Sequence, residues 1–365
     1  MRTLKYGFGG LKPSLADRRD MAGERLRTTV LGFAVTFLVF AALFYFAGTD
    51  QLVAQLEMAD TRLVAVVVGV TLLWLASWSL ALRTVLSVLG VALSPVKSFL
   101  VFSGAMFSNN ITPFGQAGGE PVTALLISRT ADAEYETGLA AIASVDTLNF
   151  VPSITIALFG AGYFVTETTL VTNNSRIEMA VVAIVALAVA VPGLLYMAWQ
   201  KRYELEHRAV QRVTPAIQWV TGVLPRLSVP TAESIERRVS RFFQAIERVA
   251  TNQRGLALAL GLSALGWFFQ MVGLWLAFQA IGVPIKLSLA MFVVPIGAIA
   301  GVTPLPGGAG GIEWVLATLL AAATGPAIGF ATATAAVIVY RGAVYWVPTL
   351  IGGAVMGVLS VRGRA

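Results

Sequence analysis

Apolar residues in this chain fall into long, nearly unbroken runs, not into strand-like alternation or one-sided helical stripes. Crossing a bilayer as a helix takes about 20 mainly apolar residues, and six runs meet that length: 28–48, 63–90, 137–164, 177–199, 255–282 and 327–359. Arg83 lies near the end of the second run, and Arg341 lies inside the last. Two further stretches, 98–128 and 287–323, are interrupted by Gly/Pro-rich segments. They suit re-entrant hairpins, because broken backbone at membrane depth survives only where protein or a water-filled cavity surrounds it. The 28–48 run is no cleaved signal peptide: its charged leader and apolar run are both too long, and a second span follows at once. The expected fold is an all-α integral membrane protein with about six full spans plus two re-entrant helical hairpins. Its expected parts are a basic leader (1–27), a first membrane half (28–199), a polar segment (200–254), a second membrane half (255–359) and a tail (360–365).

Composition agrees with this pattern. Of the 365 residues, 57% are hydrophobic and 12% are charged, about half the charged share of a soluble domain. So few charges cannot cover a soluble globule of this length, which excludes a cytoplasmic enzyme, a disordered tail and, with no cysteine, a disulfide-stapled secreted domain. The net charge of +7 suggests nucleic acid until each charge is placed. With both termini inside, 22 of the 26 Lys and Arg fall on the inner side, Arg62, Arg176 and Lys286 fall outside, and Arg341 is intramembrane. That distribution meets the positive-inside rule. It predicts a multi-pass protein of the cell membrane with cytoplasmic termini, and no nucleic-acid partner.

Within the polar segment, 231–250 reads as an amphipathic helix. Ile235, Val239, Phe242, Phe243, Ile246 and Val249 recur at helical spacing, with Arg237, Arg238, Arg241 and Arg248 on the other faces. Such a helix suits anionic inner-leaflet lipids or, alternatively, a partner such as a lipid-modifying enzyme. Asn173-Asn174-Ser175 forms a glycosylation sequon on the expected outer side. A single histidine, His207, and no cysteine give no basis for a zinc or haem site. No Walker A sequence is present, so no cofactor and no enzymatic reaction are expected.

The chain also repeats itself. Leu89-Gly90-Val91, Pro95 and Lys97 precede Thr112-Pro113-Phe114-Gly115-Gln116-Ala117-Gly118-Gly119-Glu120. Ile281-Gly282-Val283, Pro284 and Lys286 precede Thr303-Pro304-Leu305-Pro306-Gly307-Gly308-Ala309-Gly310-Gly311-Ile312-Glu313. Each motif sits between apolar helices, and the next span carries a polar residue, Asp146 in one half and Arg341 in the other. An odd number of crossings between the copies makes the repeat inverted. Paired broken segments in inverted halves point to a transport site between them.

Residue types at the two tips, near 109–120 and 303–313, suggest their chemistry. Thr-Pro stops a helix at Pro113 and Pro304, and Pro306 adds a further break. Gly307 and Gly308 allow a tight turn, as do Gly118, Gly119, Gly310 and Gly311. A helix restarting there offers free N–H groups and a positive end to phosphate or carboxylate. Glu120 and Glu313 stand on those starts, either capping their own helices or engaging a cation or proton. Asp146 and Arg341 form either a structural ion pair, with each other or with the opposite tip (Arg341 with Glu120, for instance), or a transport site in which Arg341 grips phosphate. Asn109, Asn110 and Asn149 are expected to line the same polar cavity as Thr112 and Thr303.

Asn110–Glu120, Thr303–Glu313 and Tyr340-Arg341-Gly342-Ala343-Val344-Tyr345-Trp346-Val347-Pro348 resemble the flippase-like membrane family that includes the transmembrane half of lysylphosphatidylglycerol synthases. The resemblance covers nearly all of 28–359. It implies a polytopic protein that flips lipids or lipid-linked sugars, and a functional role for the tips and the last-span arginine. In the synthases an aminoacyl-transferring domain follows; this chain stops at Ala365, so lipid aminoacylation is not expected. Many relatives carry a Glu-Arg pair and a later Asp after the first motif, where this chain has Val145-Asp146-Thr147-Leu148-Asn149. The role of that arginine is therefore not carried over, which leaves Arg341. The expected function is translocation of an anionic phospholipid or a polyprenyl-phosphate-linked glycan. The alternatives are an accessory subunit of a lipid-modifying glycosyltransferase, or a small-solute transporter.

Overall fold

A computed structural model describes residues 34–112, 116–167, 175–223, 231–303 and 305–362. The leader, Pro113, Pro304 and the sequon asparagines lie outside the described residues. Among the described residues the chain is helical throughout, in thirteen α-helices without a strand. The first half contains α1 (Ala34–Ala47), α2 (Thr49–Glu57), α3 (Thr61–Val88), α4 (Pro95–Ile111), α5 (Gln116–Ala131), α6 (Tyr135–Glu167) and α7 (Ser175–Gln200). The second contains α8 (Arg202–Val223), α9 (Ala232–Thr251), α10 (Gln253–Ala280), α11 (Leu287–Ile299), α12 (Gly311–Thr324) and α13 (Phe330–Arg362).

Five helical stretches are long and apolar enough to cross a membrane: Thr61–Val88, Tyr135–Tyr163, Gln253–Ala280, Pro306–Ala327 and Phe330–Val358. Four of these coincide with expected spans. The first expected span ends where α1 turns into α2 at a bend of 87°, with Gly48 in the left-handed region at φ +76°. One difference falls in the second hairpin. Short 3₁₀ turns at Pro306–Gly308 and Gly325–Ala327 extend the 14 residues of α12 to a 22-residue stretch of spanning length.

The two halves share their element order, and their main helices match in length. Both α3 and α10 have 28 residues, and both α6 and α13 have 33. α3 and α10 end alike. Gly90 (φ +84°) and Gly282 (φ +75°) turn left-handed, and the next residue closes the end, Val91 N–H on Leu86 O at 2.9 Å and Val283 N–H on Phe278 O at 3.1 Å. This is the glycine stop in which orphan carbonyls find donors.

Contacts between the halves are exchanged. α3 lies along α10, α4 packs on α13, and α11 packs on α6. The last two crossings depend on glycine. A Cβ at Gly160 of α6 would stand 2.7 Å from Phe292 N of α11. One at Gly352 of α13 would collide with Ser103 O of α4. Small residues let membrane helices approach backbone to backbone. Trp74, Trp78 and Trp267 pack edge to face where α3 meets α10.

The expected amphipathic helix at 231–250 is α9, and its apolar face packs on the protein: Ile235, Ala245 and Val249 are buried, and Phe242 and Ile246 are partly buried against the core. Arg238 pairs with Glu136 at 2.8 Å and Arg241 with Glu134, joining α9 to the first turn of α6 and the loop just before it.

Gly352→Ala is expected to cost about 1–3 kcal/mol by overpacking α13 against α4. Gly342→Ala in the same helix has open space around the new methyl and should be neutral. Thermal midpoints of the purified proteins in detergent test this, and equal midpoints contradict the close crossing.

Candidate functional site

The second tip is built from backbone that only glycine takes easily. Gly307, Gly308 and Gly310 have φ of +58°, +66° and +86°, a region costly for residues with a Cβ. Gly307 has a further reason to be glycine. A Cβ there would come within 2.7 Å of Tyr345 Cε2 and 2.8 Å of Asn110 Oδ1. The tip is thus wedged between the end of α4 and the flank of α13. Gly310 lies equally close to Val39 of α1.

Restarting the helix at Gly311 leaves N–H groups without helical partners. Glu313 turns back and accepts the Gly310 N–H on Oε2 at 2.7 Å, the carboxylate half of a capping box. Its other oxygen, Oε1, accepts from Arg341 Nε at 2.9 Å. Arg341 Nη2 donates to Gly307 O at 3.2 Å, and the guanidinium lies 5.6 Å from the Tyr345 ring centroid. The pair is deeply buried, with Arg341 9% and Glu313 3% exposed. Glu313 therefore caps its own helix, one of the two roles weighed for it, and also pairs with the Arg341 side chain.

Tyr345 and Thr349 were not singled out by sequence reasoning. Tyr345 O–H donates to Asn110 O at 2.9 Å, and Asn110 Nδ2 donates to Thr349 Oγ1 at 2.8 Å. Their signal was spacing: Arg341, Tyr345 and Thr349 are four residues apart and form one stripe of α13.

The first tip has different chemistry. Gly119 rests directly on Asn109, leaving no space for a Cβ, so the start of α5 abuts the end of α4. The side chains of Glu120 and Asp146 face each other. Asp146 Oδ2, Asn109 Oδ1 and, at the second tip, Thr303 Oγ1 are buried without a hydrogen-bond partner among the described residues. The Thr112 hydroxyl is spent on Ser108 O, closing the end of α4.

Two expectations change. Arg341 pairs with Glu313 of its own half, not with Glu120 or Asp146, because α12 and α13 are sequential neighbours with the tip folded back on α13. Asn149 leaves the tip group altogether: Ser263 Oγ donates to its Oδ1 and Trp267 Nε1 to its carbonyl, both from α10. Among the described residues, no group of three His, Cys, Asp or Glu is arranged to hold a metal ion.

Long apolar helices around a buried charge at a broken helix define an integral membrane protein of all-helical class. Residues 29–352 match the family described as the lysylphosphatidylglycerol synthase TM region. The chain belongs to that family, as the tip motifs and the Tyr-Arg span suggested. A UPF0104 membrane protein of Methanothermobacter thermautotrophicus is 27% identical over 91% of this chain and 93% of its own length. UPF0104 membrane proteins of Pyrococcus horikoshii and Methanocaldococcus jannaschii are each 22% identical, over 85% and 89% of this chain and 91% and 93% of their own. These names say membrane protein and specify no reaction.

Removing one partner of a buried ion pair costs about 3–5 kcal/mol, whereas replacing both by apolar residues is often nearly neutral. Glu313→Ala should accordingly destabilise strongly, and Glu313→Leu combined with Arg341→Met should recover most of the loss. Unfolding midpoints in one detergent test this. A double variant as unstable as Glu313→Ala contradicts the pairing.

Proposed function

We propose that this protein is a lipid translocase of the cell membrane. Both termini and the 200–254 segment face the cytoplasm, and the cargo is an anionic phospholipid or a polyprenyl-phosphate-linked glycan. One observation carries the reading: a forked, permanently charged donor, Arg341, is held nine-tenths buried against a glycine-rich break in the backbone. Ionisable groups inside membrane segments mark substrate and ion paths, and the guanidinium fork matches pairs of phosphate oxygens. The headgroup phosphate meets Arg341 and the N–H groups at the start of α12, while the acyl or prenyl chains stay in lipid.

The exchanged contacts of α4 with α13 and of α11 with α6 support an inverted repeat. The breaks after α4 and α11 support two re-entrant tips, an architecture in which substrates bind between the halves. The facing carboxyl groups of Glu120 and Asp146 support ion coupling, since carboxylates inside membrane segments mark ion paths and no ATP-binding motif is present in the sequence.

Proteoliposomes carrying fluorescent-headgroup phosphatidylglycerol, quenched from outside, test the reading. Wild type should make the inner-leaflet label accessible. Arg341→Lys, which keeps the charge but loses the fork, and Glu120→Gln should each slow this by about tenfold, the worth of one charge-assisted hydrogen bond. Variants as fast as an active wild type overturn the site assignment. A wild type that moves no lipid but co-purifies with a lipid-modifying enzyme replaces the reading with the accessory-subunit one.

A further inference from the structure

Arg341 is not fully engaged where it stands. Its Nε donates to Glu313 Oε1 and its Nη2 to Gly307 O, and Nη1 has no hydrogen-bond partner among the described residues. Nη1 can therefore take a headgroup phosphate with the Glu313 pair intact. On the lipid-translocase reading above, on which this inference rests, the chains of that lipid must reach the bilayer past one of the helices around the tip.

The packing closes most of those routes. On the α4 side, Tyr345 O–H donates to Asn110 O at 2.9 Å and Asn110 Nδ2 to Thr349 Oγ1 at 2.8 Å, with Gly307 wedged against both. On the α10 side, Tyr340 O–H donates to Gln270 Oε1 at 3.1 Å. Beyond the end of α11, Gly308 lies on Gly301, where a Cβ would stand 2.9 Å from its Cα. On the α1 side, apolar side chains make the contact. A Cβ at Gly310 would meet Val39 Cγ1 at 2.7 Å, and Phe46 stands edge to face on Trp314 of α12 with 5.7 Å between ring centroids. Apolar contacts part without leaving a polar group unpaired, whereas a hydrogen bond parted in lipid leaves two.

α1 is also placed to move. Its face opposite Val39 is open among the described residues, with Phe37 72% exposed. Its inner stripe loosens away from the 87° bend at Gly48: Ala47 and Leu43 are buried, whereas Val39 and Thr36 are half-buried. Beyond the bend, α2 packs on α13 and its Leu52 is fully buried. At 1.5 Å per residue Val39 stands about 13 Å from the bend, so a tilt of about 20° shifts it by about 5 Å.

We propose that the seam between α1 and α12 is a lipid-binding portal. The headgroup phosphate passes between Val39 and Gly310 to Arg341, and the acyl or prenyl chains of the same lipid lie in the seam beside Trp314. α1 tilts about Gly48 to admit them while α2 stays on α13.

The test uses the full-length protein in phosphatidylcholine nanodiscs with a trace of phosphatidylglycerol that carries a diazirine in its acyl chain. Ultraviolet light fixes the lipid where it lies, and peptide mass spectrometry locates it. Wild type should be labelled at Val39 and Trp314. Arg341→Gln should lower that labelling about tenfold, the worth of one charge-assisted hydrogen bond, and leave labelling at Phe37, which meets bulk lipid, unchanged. Excess unlabelled phosphatidylglycerol should do the same to wild type, which covers the case in which the variant does not fold.

Labelling at Val39 and Trp314 that follows Phe37 in both experiments, while residues of another helix respond, overturns the portal and leaves the phosphate site standing. If no residue responds to Arg341→Gln or to excess phosphatidylglycerol, the site reading itself falls. Millimolar inorganic phosphate should leave the labelling unchanged; loss of label makes free phosphate the ligand and overturns the lipid class.

Discussion

An arginine inside an apolar bundle has to be neutralised where it stands, and the contact of Arg341 with Glu313 does this at 2.9 Å. Much of the second half follows from that requirement. Glu313 can reach Arg341 only if α12 begins beside α13, which requires the chain to reverse within the few residues before Gly311. Reversal that tight requires the left-handed glycines at 307, 308 and 310. The same carboxylate then satisfies the Gly310 N–H. One side chain thus compensates both a buried cation and an unpaired backbone donor, the two groups least tolerable in lipid.

The first half meets the same backbone problem with different chemistry. Gly119 lies flat on Asn109, and Glu120 faces another carboxyl group, Asp146, instead of a cation. One tip therefore holds a guanidinium and the other a pair of facing carboxyl groups, on a scaffold whose main helices match in length. The halves stay in register because their glycine crossings, Gly160 on α11 and Gly352 on α4, are reciprocal.

Much of the scaffold was legible in the sequence, and the pairing within the site was not. The Gly90-Val91 and Gly282-Val283 turns, the breaks after α4 and α11, and the bounds of α9 are set by local rules: left-handed glycine, proline's missing donor and helical periodicity. The identity of each buried partner is tertiary. A helix apolar on every face carries no stripe to say which way a polar residue points. Asn149 was therefore grouped with the first tip, although Ser263 and Trp267 of α10 hold it. For the same reason Arg341 could be matched with Glu120 until the fold of the second tip was known. The cover over the apolar face of α9 was also hidden, since Glu134 and Glu136, which anchor it, look like ordinary solvated charges in the sequence.

The central claim is that Arg341 forms a phosphate site reached sideways from the bilayer. An electron cryomicroscopy structure of the protein in nanodiscs that retain native lipid tests it most directly. The expected result is a headgroup phosphorus within hydrogen-bonding reach of the Arg341 guanidinium, with the lipid chains leaving between helices into the bilayer. An Arg341–Glu313 pair sealed by protein on every side, with lipid density confined to the outer surface, would contradict it.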